Sequence, residues 1–141
     1  MSVTLRVGLA FLALIELVLG LWTAFFPERF YNDVPTVDLT PPFSEHLFRD
    51  FGGATLGLAI VLGAAAIFLE FRLVVVALVA YLAFAVPHFV FHLEHLDHAT
   101  TNEAVLLTGG NASVALIGLA LAIWAVVRMT RDRHLHHPAV G

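Results

Sequence analysis

Four long apolar runs organise this chain, separated by short polar or proline-rich breaks. The first runs from Leu5 to Phe26 and is closed by Pro27. The second begins near Phe51 and ends at Leu69, and Glu70, Phe71 and Arg72 make a brief polar interruption. The third extends from Leu73 to His92 and the fourth from Ala104 to Val127. Each holds about 19 to 24 residues, enough helix at about 1.5 Å per residue to cross a hydrocarbon core of about 30 Å. Apolar residues fill these runs on all sides, which suits contact with lipid better than a water-facing amphipathic helix. Hydrocarbon offers peptide groups no partner, so runs of this kind must be helical. The pattern predicts an all-α membrane protein. It is one domain over residues 1–141, a bundle of four transmembrane helices (spans 5–26, 51–69, 73–92 and 104–127). An outer loop covers 27–50 and a tail 128–141.

Composition strengthens that picture and removes several function classes. The 141 residues are 60% hydrophobic and 13% charged, with a mean hydropathy of +0.89, whereas a soluble domain is about one quarter charged. The bilayer is therefore the expected partner. A formal net charge of −4 gives no basic face for nucleic acid. With no cysteine, disulfides, iron–sulfur clusters and thiol redox are excluded. The first run exceeds the usual apolar core of a signal peptide and shows no small-x-small cleavage site before Pro27, so it reads as an uncleaved span.

Arginine placement sets the expected orientation. Arg6, Arg72, Arg128, Arg131 and Arg133 fall on one side, and Arg29 and Arg49 on the other among many acids. The positive-inside rule then places both termini in the cytoplasm, in a cytoplasmic membrane. The long first loop and the histidine-rich third loop face outward. Four prolines and Phe26, Phe30, Tyr31 and Phe43 in or beside the first loop suit a segment lying on the membrane interface. Thr40-Pro41-Pro42 leads into a short helix at the end of this loop, with Ser44 as its N-cap. In the second run Gly53-x-x-x-Gly57 forms a small-xxx-small pair, which serves helix packing within the bundle or a homo-oligomer. Gly109, Gly110, Ala112 and Ser113 make a similar smooth patch in the fourth.

Polar residues inside a span are costly and mark candidate sites. Glu16 lies near the centre of the first run, with Gly20 and Thr23 on its face. Asn111 sits about 10 Å into the fourth run and Tyr81 about 16 Å below the outer end of the third. These depths would let the three meet inside the bundle. Glu16 is then either a protonated acid bonded to a helix partner or a group that handles protons or orients a ligand. Asn111 and Ser113 spell a glycosylation sequon, but within a span it has no meaning.

The chain holds 8 histidines against 7 lysines and arginines. At about 100° per residue His88, His92 and His95 form one stripe, and Tyr81 extends it inward. His88 and His95 are about 10.5 Å apart along the axis, so one pair, His88/His92 or His92/His95, would share an ion. His46 and Glu45 are the natural donors to complete the site, with Asp50 behind them. Such a set suits Zn²⁺, Cu²⁺ or Fe²⁺. Haem b is disfavoured because no other span carries a mid-membrane histidine. The competing reading is a polar or pH-responsive collar at the interface. Arg49, at the mouth of the second run, suits an anionic headgroup, a quinone oxygen or a loop carboxylate. His134, His136 and His137 lie on the opposite face and cannot join.

With these segments in place, the chain resembles the small, uncharacterised four-helix membrane proteins of actinobacteria that are loosely DoxX-like. The resemblance rests on Arg49-Asp50-Phe51-Gly52-Gly53-Ala54-x-Leu56-Gly57 and Pro87-His88-x-x-x-His92. It implies a single four-helix domain in the cytoplasmic membrane and carries no activity. The leading expectation is a membrane protein with an outward-facing histidine site for a transition metal or cofactor. One alternative is a small enzyme using Glu16, Tyr81, Arg49 and the histidines on a lipophilic substrate such as a quinone or isoprenoid. The other is a structural subunit of a membrane complex.

Overall fold

A computed structural model describes residues 3–39 and 42–136, with side chains described as far as Arg128. All the regular structure in these residues is helical. Helices α1 (Val3–Phe25), α3 (Glu45–Phe68), α4 (Phe71–Glu94) and α5 (Thr101–His136) form the frame, and α2 (Pro27–Asp33) is a short helix after α1. Four of them are long and apolar enough to cross a membrane: Val3–Phe25, Glu45–Phe68, Phe71–Glu94 and Thr101–Arg128. They run alternately up and down. Both ends of the frame emerge at one face, the terminal face, and α2 and the α4–α5 connection lie at the other, the loop face.

The helices overrun the apolar segments that predict them. Hydrophobicity marks the stretch of helix in hydrocarbon, whereas each helix ends where its cap is satisfied. Ser44 is the N-cap of α3 as expected, accepting a bond from Leu47 N at 3.4 Å. The helix it caps is the second span itself, so Glu45 to Asp50 are α3 residues and not loop; Thr40 and Pro41 of the lead-in lie outside the described residues. The turn from α3 to α4 is tighter than the polar break suggests. Leu69 adopts a left-handed conformation (φ 51°) and its N–H caps Ala65 O, while Glu70 accepts from Leu73 N and starts α4 at Phe71. Thr100 and Glu103 form a capping box, Thr100 N and Oγ1 donating to Glu103 Oε2 at 2.8 and 2.7 Å, which starts α5 three residues before Ala104. At its other end α5 continues from Val127 to His136, so the predicted tail begins as helix. Residues 137–141 of that tail lie outside the described residues.

The first loop is also more structured than expected. Pro27 occupies the first turn of α2, where its missing N–H costs nothing. Val37–Leu39 form a 3-10 turn after it. Phe30 packs edge-on to Trp22 of α1 at 5.6 Å and against Phe48 of α3 at 6.0 Å. Tyr31 and Phe43 both meet Phe48, at 5.8 Å each. The loop aromatics thus dock the segment onto the end of the bundle, and of them Phe26 is the most exposed.

Packing inside the bundle relies on glycines other than the predicted pair. A Cβ on Gly52 would stand 2.5 Å from Ala24 N and 2.7 Å from Thr23 Oγ1, and one on Gly20 would meet Thr55 and Leu56. These positions bring the α1 and α3 backbones together. Gly8 admits Leu121 of α5, and Gly118 admits the Tyr81 ring. Gly53, Gly57, Gly109 and Gly110 have no neighbour within 4 Å of such a Cβ and face outward. Beneath this the terminal half is filled by Leu5, Leu9, Leu12, Leu62, Val74, Leu78 and Leu121, all buried.

This contrast is testable by thermal unfolding in detergent. Gly52→Leu must push apart two backbones and is expected to cost about 3 kcal/mol or more. Gly53→Ala, one residue away, should be neutral or stabilise by up to about 1 kcal/mol, as alanine is the better helix former. Equal effects at the two positions would contradict this packing.

Candidate functional site

At the loop face the four long helices part and enclose a cavity of about 440 Å³. Leu19 of α1, Phe48 and Phe51 of α3, His88, Phe91 and His92 of α4, and Leu107 and Asn111 of α5 form its walls. Phe30, Val34, Pro35, Thr36 and Val37 lie over it as a strap. Its size is that of a small-molecule site, and its lining is mostly apolar with a few convergent polar groups. Thr36 holds φ at 76°, a left-handed conformation that costs a β-branched residue about 1–3 kcal/mol. It is buried against the cavity, so the strap is held in place by its packing.

The polar groups on the wall differ in how they are satisfied. Asn111 Nδ2 donates to Leu107 O at 2.9 Å, within its own helix. His88 lies between Phe84 and Phe51, its ring stacked at 5.3 and 6.0 Å. His92 meets His88 edge-on at 4.6 Å, and its Nδ1 is buried without a hydrogen-bond partner. An unpaired buried nitrogen is a standing cost of about 1–3 kcal/mol. It is the feature of this wall that packing alone does not explain.

The remaining predicted ligands go elsewhere. His95 Nδ1 lies 2.7 Å from Phe91 O and its ring stacks on Phe91 at 4.1 Å, so it closes the end of α4 outside the cavity. His46 Nε2 pairs with Asp50 at 3.3 Å on the exposed first turns of α3. Glu45 holds Arg49, whose Nε and Nη2 lie 2.9 and 2.8 Å from its Oε1. Arg49 Nη1 also donates to Ala24 O, one of the carbonyls left open at the end of α1. That contact ties α1 to α3 across the turn, a structural use of the arginine absent from the expected roles. Among the described residues no three His, Asp or Glu side chains converge as a metal site. Of the predicted set, the fold brings together His88 and His92.

Glu16 is 3% exposed and its Oε2 has no hydrogen-bond partner. Tyr81 is 1% exposed and within electrostatic reach of it. Both lie in the bundle interior as expected, but Asn111 belongs to the cavity wall above them. Sequence reasoning also missed Leu19, Phe51 and the strap residues, since apolar wall positions look the same as core positions along a chain. The Thr100-x-x-Glu103 capping signal was present and would have placed the start of α5.

Removing an unpaired buried polar group should stabilise the protein. Glu16→Leu and His92→Leu are each expected to raise stability by about 1–2 kcal/mol in reversible unfolding, the reverse of the usual effect of a buried substitution. A loss of stability in either would mean that the group has a partner.

Comparison with known proteins adds a family and no activity. No curated protein and no solved structure matches the chain. One family model matches residues 4–88, more than half of its length, from α1 through most of α4. Glu16, Arg49, Tyr81 and His88 fall within the match, and His92 and Asn111 beyond it. The chain therefore belongs to the family described as a domain of unknown function, DUF4345.

Proposed function

We propose that this membrane protein binds a small lipophilic molecule in its loop-face cavity, with one polar head group held by His92. The observation that carries the reading is a mostly apolar cavity of about 440 Å³ with His92 in its lining, a residue whose Nδ1 is buried without a hydrogen-bond partner. A polar ligand atom bonds to the His92 ring, while the side chains of Phe48, Phe51 and Phe91 take up an apolar body. Binding is favoured over turnover because Glu16 and Tyr81 do not line the cavity, so the acid–base set expected for a quinone or isoprenoid enzyme is not assembled around one space. The arginine bias supports an orientation with both termini in the cytoplasm, so that the cavity opens outward from a cytoplasmic membrane. The DoxX-like resemblance adds nothing to the ligand. Gly53 and Gly57, open on the outside of α3, are the surface through which two copies would pack in a homo-oligomer.

A metal site is the second reading, favoured by the 4.6 Å approach of the His88 and His92 rings. Zinc, copper or iron held there would take its further ligands from water or from an added molecule, because His46, Glu45 and His95 point elsewhere.

Calorimetric titration of the protein in lipid nanodiscs with 2-naphthalenemethanol, a neutral alcohol on an aromatic body, tests the first reading. Saturable binding at one site per chain is expected, lost in Leu107→Trp, which fills the cavity, and weakened about tenfold in His92→Leu, the worth of one hydrogen bond. Uptake no different from that of empty nanodiscs overturns it. Stoichiometric zinc, copper or iron in the purified protein, lost on His92→Ala, would put the metal reading in its place.

A further inference from the structure

A second pocket, of about 310 Å³, lies at the junction of α1, α2 and α3 and shares no lining residue with the cavity. Four charged side chains line it: Glu28 and Arg29 of α2, and Glu45 and Arg49 from the first turns of α3. Their formal charges cancel. Two of the four are committed, since Glu45 Oε1 holds Arg49 and Arg49 Nη1 also donates to Ala24 O. Arg49 is therefore fixed in place, and its terminal nitrogens carry further N–H groups. Glu28 and Arg29 are exposed and make no hydrogen bond or ion pair among the described residues. A fixed cation beside a free cation and a free acid is a set that a zwitterion completes.

The rest of the lining is apolar and faces outward. Phe25, Phe26 and Phe43 all line the pocket, and each is exposed. Aromatic rings beside charges suit the boundary between membrane and water. Phe25 is the last residue of α1, so the pocket stands where the first span leaves the hydrocarbon. From Phe25 an exposed apolar stripe runs down α1 through Leu21, Val18, Leu14 and Phe11, at helical spacings of four and three residues. Polar pocket and apolar stripe are thus continuous. A molecule that uses both has a charged head in line with a hydrocarbon tail, which describes a phospholipid. A soluble phosphate ester would fill the pocket and leave the stripe unused.

We propose that this pocket binds the headgroup of a zwitterionic phospholipid, an ethanolamine lipid of the leaflet at the loop face. The phosphate is held between Arg29 and Arg49, the ammonium pairs with Glu28, and one acyl chain follows the stripe on α1. Balanced charge selects against an anionic lipid without an ammonium, which would leave Glu28 unpaired beside its phosphate. A trimethylammonium head carries the same charge as ethanolamine but has no N–H to donate to a carboxylate, so it is the weaker ligand. The site is independent of the cavity reading above.

Two consequences follow from the chemistry of these contacts. They are charge-assisted and lie at the membrane surface, so binding weakens as salt rises. Glu28 and Arg29 belong to α2 and Arg49 to α3, so a bound headgroup joins the two elements and raises thermal stability.

Native mass spectrometry of the delipidated protein in detergent tests the site, with dioleoyl phosphatidylethanolamine, phosphatidylcholine and phosphatidylglycerol as probes. The ethanolamine lipid should bind about tenfold tighter than the other two, the worth of one charge-assisted hydrogen bond. Arg29→Gln should weaken all three lipids about tenfold, through the phosphate they share. Glu28→Gln should abolish the preference for ethanolamine. Leu107→Trp, which fills the separate cavity, should keep the ranking. O-phosphoethanolamine without chains, added in large excess, should not displace the lipid. Should a variant fail to fold, the ranking of the three lipids on the unsubstituted protein decides alone. Equal binding of the three, tightest binding of the anionic lipid, a preference that survives Glu28→Gln, or indifference to Arg29→Gln overturns the proposal. Displacement by free O-phosphoethanolamine shows a site for a soluble phosphate ester and overturns the lipid assignment.

Discussion

The architecture depends on the contact of α1 and α3 at two glycines. Gly20 and Gly52 let these helices approach until backbone meets backbone, with Thr23 and Thr55 folded back on their own carbonyls beside them. In lipid there is no hydrophobic force to draw helices together, so such close van der Waals contact is what fixes the pair. Arg49 reinforces it at the loop face by closing the end of α1 from α3. The partner pair α4 and α5 is seated by Tyr81 against Gly118, and α5 returns to α1 through Leu121 against Gly8, in the terminal half. The tight seam on one side and contacts concentrated at the terminal end leave the loop end free to open around a cavity.

That division gives the two halves of the bundle different characters. The terminal half is filled with leucine, alanine and valine and holds the helices in register. The loop half contains the groups whose presence lowers stability: the left-handed Thr36, the unpaired His92 nitrogen and, at the boundary, the unpaired Glu16 oxygen. Strain and unsatisfied polar groups gathered at one end of a protein mark the part that is not optimised for folding.

The histidines show how a one-dimensional pattern spreads out in three dimensions. His88, His92 and His95 share a helical face, yet they have three environments. His88 is stacked among phenylalanines, His92 lies on the cavity wall, and His95 caps the helix outside it. Pairing of His46 with Asp50 and of Glu45 with Arg49 follows from i,i+4 spacing once α3 is seen to begin at Glu45. In a loop those residues would be free to reach the stripe; on a helix they are not.

What the chain determined by itself is the number of long apolar helices, their approximate place in the sequence, the buried acid at Glu16 and the Ser44 cap. These follow from local rules: apolar length against membrane thickness, the cost of charge in hydrocarbon, and the hydrogen-bond needs of a helix end. Helix ends were legible less well, because hydrophobicity reports the hydrocarbon segment and not the cap; Thr100 and Glu103 are the case where a cap signal was there to be read. The tertiary structure alone decided which glycines pack, since Gly52 and Gly53 are identical in sequence terms and differ by about 100° of helix rotation. It alone decided that Leu19, Phe51 and Asn111 bound one space with His88 and His92, because a cavity is formed by helices that part, and no single helix carries the signal of its neighbour's absence.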